Sequence, residues 1–264
     1  MQPWDSPKLM LKNKKGVIFG IANDHSIAWG IAKKLAENGA EIVITYQNES
    51  LLKRIKPLAE KIDNNFLIKC DFSEAESIRN CFKEIKKKLH NIDFIIHAAA
   101  FSDKNELNGK YLNTSKDNFI NTLNISCFSF TEIAKYASEI MNEGGSLLTL
   151  SFYGSNKVMP NYNVMGVAKA ALETSVKYLS VDLGSQNIRV NAISAGPMRT
   201  LSGAAISNAR QVYNYTQENS ALKRNVRLEE IGNTALYFVS NLSKAVTGEI
   251  HYVDCGFNII GMPK

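Results

Sequence analysis

Short apolar runs alternate with helix-patterned stretches about seven times along this 264-residue chain, with no long linker or internal repeat between them. A repeated strand-then-helix pattern buries both faces of a parallel sheet. It therefore restricts the chain to one α/β domain over 1–264, a doubly wound parallel sheet of about seven strands with helices on both faces. The strand-like runs are Val17 to Phe19, Glu41 to Tyr46, Phe66 to Lys69, Asp93 to His97, Ser146 to Ser151, Arg189 to Ile193 and Glu249 to Val253. The fourth is almost wholly apolar, as expected of a central parallel strand covered on both faces. Ligands of such sheets gather at the strand carboxyl ends, which puts Gly20, Gln47, Asp71, Ala99, Ser151 and Pro197 on one rim.

Composition narrows the functional classes. With 45% hydrophobic and 21% charged residues the chain is an ordinary soluble globular protein. The net charge of +6 is modest and its lysines are scattered, Lys83 to Lys88 reading as a solvated helix face, so nucleic acid is not the expected partner. A basic surface does suit an acidic protein partner. Four cysteines show no CxxC spacing, which points to reduced thiols and no metal site. Residues 1–15 form a polar arm with two prolines, no run of eighteen apolar residues occurs, and the expected compartment is the cytoplasm.

In the first unit, Gly20 closes the strand and Ser26 opens a helix whose apolar positions Ile27, Ile31 and Leu35 recur at helical spacing. Backbone N–H groups and the helix dipole at such a junction attract phosphate. The spacing departs from G-x-G-x-x-G, so a phosphate site and a plain βα turn both fit. Gln47 ends the second strand where dinucleotide-binding folds meet the adenosine ribose; its neutral amide favours NADH over NADPH, against Lys53 and Arg54 nearby, and a surface glutamine is the plain alternative. Asp71 and Phe72 suit an adenine site or a turn, and Ser73 with Glu76 forms a capping-box signature for the helix that follows. Ala98, Ala99 and Ala100 leave room for a flat ligand or fill a core, and His97 reads as a hydrogen-bonded strand-end residue rather than a catalyst. A long helical stretch is expected over roughly Thr114 to Met141. Residues 198–221 lack clean periodicity, as a lid over an apolar substrate or a pair of irregular surface helices would.

Tyr162 and Lys169 stand seven apart at the start of a helical stretch, close to one line of a helix face. An ammonium near a phenol favours the phenolate, which suits proton exchange with an oxygen anion.

The segments Ser26-Ile27-Ala28-Trp29-Gly30, Pro160-Asn161-Tyr162-Asn163-Val164-Met165-Gly166, Lys169 and Ala192 to Thr200 closely resemble the NADH-dependent enoyl-acyl carrier protein reductases of bacterial type II fatty acid synthesis. These are a divergent branch of the short-chain dehydrogenase/reductases, and the similarity runs from about Lys14 to Met262. The resemblance implies a Rossmann-like fold, NADH as cofactor, an acyl carrier protein partner and a homotetramer. It further implies Gly20, Ser26 and Ile27 at the pyrophosphate, Gln47 at the ribose, and Asp71 with Phe72 at the adenine. Ala99, Lys169, Met198, Arg199, Thr200, Leu201 and Ser202 would surround the nicotinamide half, and Ser102 the acyl substrate. Tyr162 and Lys169 are the implied catalytic pair. Two positions depart from the family: Phe152 stands where a second tyrosine is usual, with Tyr153 beside it, and Ala99 where a bulkier aliphatic residue is usual. A carbonyl reductase of the same fold and a cofactor-binding regulator without catalysis are the competing readings. The first is disfavoured by the tyrosine-lysine spacing, since ordinary carbonyl reductases place lysine four residues on.

Overall fold

A computed structural model describes residues 9–62, 66–74, 76–204 and 208–262. The first eight residues of the amino-terminal arm, residues 205–207 of the expected lid and the side chain of Ser202 lie outside the described residues. Strands β1 (Lys15–Phe19), β2 (Glu41–Tyr46), β3 (Phe66–Lys69), β4 (Ile92–His97), β5 (Met141–Ser151), β6 (Arg189–Ala195) and β7 (Ile250–Val253) form one sheet, ordered β3-β2-β1-β4-β5-β6-β7. Every neighbouring pair is parallel. The order reverses between β1 and β4, which opens a crevice beyond the strand carboxyl ends.

The connections are α1 (Ile27–Glu37), α2 (Glu49–Ala59), α3 (Ser77–Leu89), α4 (Lys116–Leu123), α5 (Ser129–Ser138), α6 (Asn163–Asp182), α7 (Leu201–Ala204), α8 (Ala209–Asn219) and α9 (Leu228–Val239). Period-two alternation of the strands sorts their side chains into two layers. Ile18 joins Trp29, Leu35, Ile55 and Phe238 under α1, α2 and α9. Val17 and Phe19 join Phe82, Phe130 and Leu172 under α3, α5 and α6. Each fully buried side chain of this size stabilises the fold by roughly 1.5–3 kcal/mol relative to exposure. Along α3 the apolar positions Ile78, Cys81, Phe82, Ile85 and Leu89 are buried while Lys83 and Lys86 to Lys88 face solvent, as the pattern predicts.

The helical stretch expected over Thr114 to Met141 runs unbroken from Lys116 to Ser138 as α4, a π-helical turn at Asn124–Phe128 and α5, and β5 begins at Met141. Side-chain hydroxyls hold that turn: Ser129 Oγ donates to the Ile125 carbonyl at 2.7 Å, and Ser126 Oγ binds the Phe101 backbone through both N–H (3.0 Å) and carbonyl (3.1 Å). The capping box before α3 does not form. Ser73 gives its hydroxyl to Asp71 at 2.7 Å, and Glu76 takes a left-handed conformation and pairs with Arg79. In the apolar tail, Phe257 packs edge-on against Tyr153 and Tyr215, whereas Ile259 and Met262 are exposed.

Candidate active site

The β1–α1 junction is shaped by two residues. Gly20 has φ +98°, and a Cβ there would stand 2.4 Å from the Ala98 carbonyl oxygen, so glycine alone lets the end of β1 lie against the end of β4. Ser26 precedes α1, but its hydroxyl turns back to accept the N–H groups of Ala22 and Asn23, each at 3.0 Å, and so shapes the loop rather than capping the helix. The first turn of α1 carries no acidic side chain to oppose an anion. A loop held in shape by Gly20 and Ser26 at an uncontested helix N-terminus fits the pyrophosphate of a dinucleotide.

Tyr162 immediately precedes α6, between Asn161 (φ 58°) and Asn163 (φ 38°). Asparagine tolerates this left-handed region better than other non-glycine residues, which gives the Asn-Tyr-Asn signature a backbone cause. Gly154 makes room for the ring, since a Cβ there would meet it at 2.5 Å, and Phe152 packs on it edge-on at 5.1 Å. Lys169, two turns along, is buried and donates to the Leu150 carbonyl at 2.7 Å. Both residues line one cavity of about 1670 Å³.

The electrostatics correct one expectation. Burial, with the Glu173 charge adding to it, pushes the Tyr162 hydroxyl well above its ordinary range, so the resting phenol is a protonated donor rather than a phenolate. Burial also pushes Lys169 down to about 8, against the opposing pull of Cys127 and Glu173.

The same cavity brings together Gly20, Ser26, Ile27, Ser102, Met198, Arg199, Thr200 and Leu201 from four separate stretches of chain. Gln47, Asp71 and Phe72 lie at the neighbouring strand ends, outside its walls. Gln47 Nε2 donates to Asp71 Oδ1 at 3.1 Å, and Asp71 also accepts the Ser73 N–H at 2.9 Å, so it is a turn residue as well as a candidate ligand group. Burial raises the Asp71 carboxyl's pKa, yet the bonds from Ser73 and Gln47 outweigh this and leave it below its ordinary value. Phe72 packs against Phe19 and His97. Ala98 and Ala100, rather than Ala99, line the cavity. His97 bonds Thr149 Oγ1 (2.8 Å) and Ser129 Oγ (2.9 Å), and burial pushes it down to about 3, in keeping with a structural histidine. Tyr153 turns away from the cavity: its hydroxyl donates to the Asn258 carbonyl at 3.4 Å.

Sequence patterns miss much of the apolar wall. Phe101, Leu107 and Met159 line it from loops whose spacing carries no signal. They also miss the net around Ser102, where Thr122 Oγ1 donates to Ser102 Oγ at 2.9 Å and Ser102 donates to Asn118 Oδ1 at 3.3 Å.

A family model described as enoyl-(acyl carrier protein) reductase matches residues 20–258. The chain belongs to the enoyl-acyl carrier protein reductase family. It is 58% identical over 254 residues to the enoyl-[acyl-carrier-protein] reductase [NADH] 2 of Rhizobium meliloti, covering 96% of this chain and 95% of that one. Among solved structures it superimposes on the reductase FabI of Candidatus Liberibacter asiaticus with a TM-score of 0.95 and 57% identity, over 97% of this chain and 99% of that one. The reductase of Anaplasma phagocytophilum, solved in complex with NAD, matches with a TM-score of 0.93 and 52% identity, over 97% of both chains.

Proposed function

We propose that this reductase uses NADH to reduce the trans-2 double bond of enoyl-acyl carrier protein thioesters in the elongation cycle of fatty acid biosynthesis. The observation that carries the proposal is a shared wall: Tyr162, Lys169 and the Gly20–Ile27 junction open on one largely apolar cavity. The relative from Rhizobium meliloti is named for the same NADH-dependent activity, and that from Anaplasma phagocytophilum is solved with NAD. When bound, the dinucleotide supplies a hydride, which goes to the β-carbon of the enoyl group.

The remaining roles belong to the chain. Gly20, Ser26 and Ile27 take the pyrophosphate, Gln47 the ribose, Asp71 and Phe72 the adenine. Met198, Arg199, Thr200 and Leu201 surround the nicotinamide half, and Lys169 binds its ribose hydroxyls while keeping the local potential positive. Tyr162 donates a hydrogen bond to the thioester oxygen, where negative charge collects as the enolate forms. Seven residues span about 10 Å of helix against about 6 Å for four, so the hydroxyl stands further from the ribose anchor. This suits an oxygen three bonds from the carbon that receives hydride. Ser102 lies near the acyl group.

Residues 198–221 act as a lid over the acyl chain. The Arg199 guanidinium lies 4.7 Å from the centre of the Tyr213 ring, a contact that ties the segment after β6 to α8 and supports this role. The chain works in the cytoplasm as a single-domain subunit of a homotetramer. Exposed Phe128, Val167, Tyr178 and Val181, at the start of α5 and along α6, support assembly.

A spectrophotometric assay tests the whole reading. Oxidation of NADH, faster than of NADPH, with a trans-2-enoyl thioester is expected. Turnover with 3-oxoacyl thioesters instead would make the chain a carbonyl reductase, and tight NADH binding with no turnover a regulator.

A further inference from the structure

Helix α6 carries a second buried charged side chain one turn beyond Lys169. Glu173 is 9% exposed, and among the described residues no cation pairs with it. Hydroxyls and an amide surround it instead. Its Oε1 accepts from Ser151 Oγ and, at 2.6 Å, from Ser155 Oγ, while Oε2 accepts from Asn156 Nδ2 at 3.3 Å. These partners lie at different depths. Ser151 is buried on the cavity wall, Ser155 is half-buried and Asn156 is exposed. A continuous hydroxyl-carboxylate-hydroxyl chain therefore runs from the cavity towards the surface. Beside it lies Ser194, whose buried Oγ has no hydrogen-bond partner among the described residues. Ser194 is in register with Ser151 and Tyr252, so its side chain falls on the same face of the sheet.

The reduction proposed above leaves an enolate whose α-carbon must still take a proton, inside a cavity whose wall is largely apolar in area. Tyr162 is occupied at the oxygen. We propose that Ser151, Glu173 and Ser155 form the relay that brings this proton from solvent to the α-carbon, an inference that rests on the enoyl reductase reading of the cavity. The steps balance. The Glu173 carboxylate first takes the Ser155 hydroxyl proton, which Ser155 replaces from water at the surface. The Ser151 O–H bond then breaks as a C–H bond forms at the α-carbon from the enolate's own electron pair, and Ser151 takes the proton held on Glu173, which returns to the carboxylate. One solvent proton is consumed per turnover, and nothing is oxidised or reduced in this leg.

Glu173→Gln keeps the volume of the side chain but removes its capacity to take up and release a proton. Ser151→Ala breaks the relay at the cavity end. Each variant is assayed with a trans-2-enoyl thioester and NADH in H2O and D2O, and NADH affinity is measured separately by fluorescence titration. The expected result is a kcat lowered by about tenfold or more, a solvent isotope effect larger than that of the wild type, and an unchanged Kd for NADH. Two results overturn the relay. One is wild-type kcat and isotope effect in both variants; the other is a kcat that falls together with NADH affinity at an unchanged isotope effect, the signature of a structural strut. If Glu173→Gln does not fold, Ser151→Ala and Ser155→Ala decide the matter by the same readouts. A wild-type chain inert towards the enoyl thioester would overturn the underlying reading, a result distinct from active variants.

Discussion

Burial and the nearby Glu173 oppose ionisation of Tyr162, so across the neutral range the phenol keeps its proton, as the proposed role of donor requires. Removal of that donor in Tyr162→Phe is expected to lower kcat by about a hundredfold, with NADH affinity retained; full turnover on a short enoyl thioester would exclude the role. Lys169 makes a separate prediction. Burial holds it near 8, below its ordinary 10.5, so between those values the unfolded chain binds more protons than the folded one. Stability therefore rises with pH across that window, and below about 8 the fold carries the full penalty, on the order of 3 kcal/mol. Lys169→Met should accordingly melt higher than the wild type at neutral pH, with the difference shrinking as pH rises from 8 towards 10.5. A constant difference would contradict the burial argument.

At the scale of the element, the β1–α1 junction depends on a contact between strands that are distant in sequence. Gly20→Ala puts a methyl against the Ala98 carbonyl at a positive φ. The expected cost is about 1–3 kcal/mol of stability and at least tenfold in NADH affinity, read by thermal melting and fluorescence titration. An unchanged affinity would show that the loop does not hold the pyrophosphate. The same junction shows what a sequence can and cannot say about a motif. Gly20 and Ser26 were legible as a glycine and a hydroxyl at a helix start, but the hydroxyl serves the loop, because the Ala22 and Asn23 N–H groups lie closer to it than those of the helix. The capping box at Ser73 and Glu76 was legible too and does not form, because Asp71 competes for the same hydroxyl. At Phe152 and Tyr153 the relevant difference is one residue along the chain. Phe152 faces the cavity while Tyr153 packs against Tyr252 and Phe257, so the tyrosine does not replace the hydroxyl missing at Phe152.

For the whole molecule, the proposed tetramer accounts for the apolar residues left exposed at the start of α5 and along α6. Light scattering after size exclusion is expected to give four times the 29.3 kDa chain mass. Tyr178→Glu with Val181→Glu should yield smaller species, and a monodisperse wild-type monomer would remove the tetramer. The order and type of the strands and most helices were determined by the sequence alone, because hydrophobic period is a local property that each segment carries with it. The tertiary structure decided the rest: which residues of a loop face the cavity, which serines meet Glu173 across 18 and 22 positions of chain, and which proton state Tyr162 holds. The physical reason is that orientation and desolvation are sums over every element that encloses a side chain, and no single stretch of sequence contains that sum.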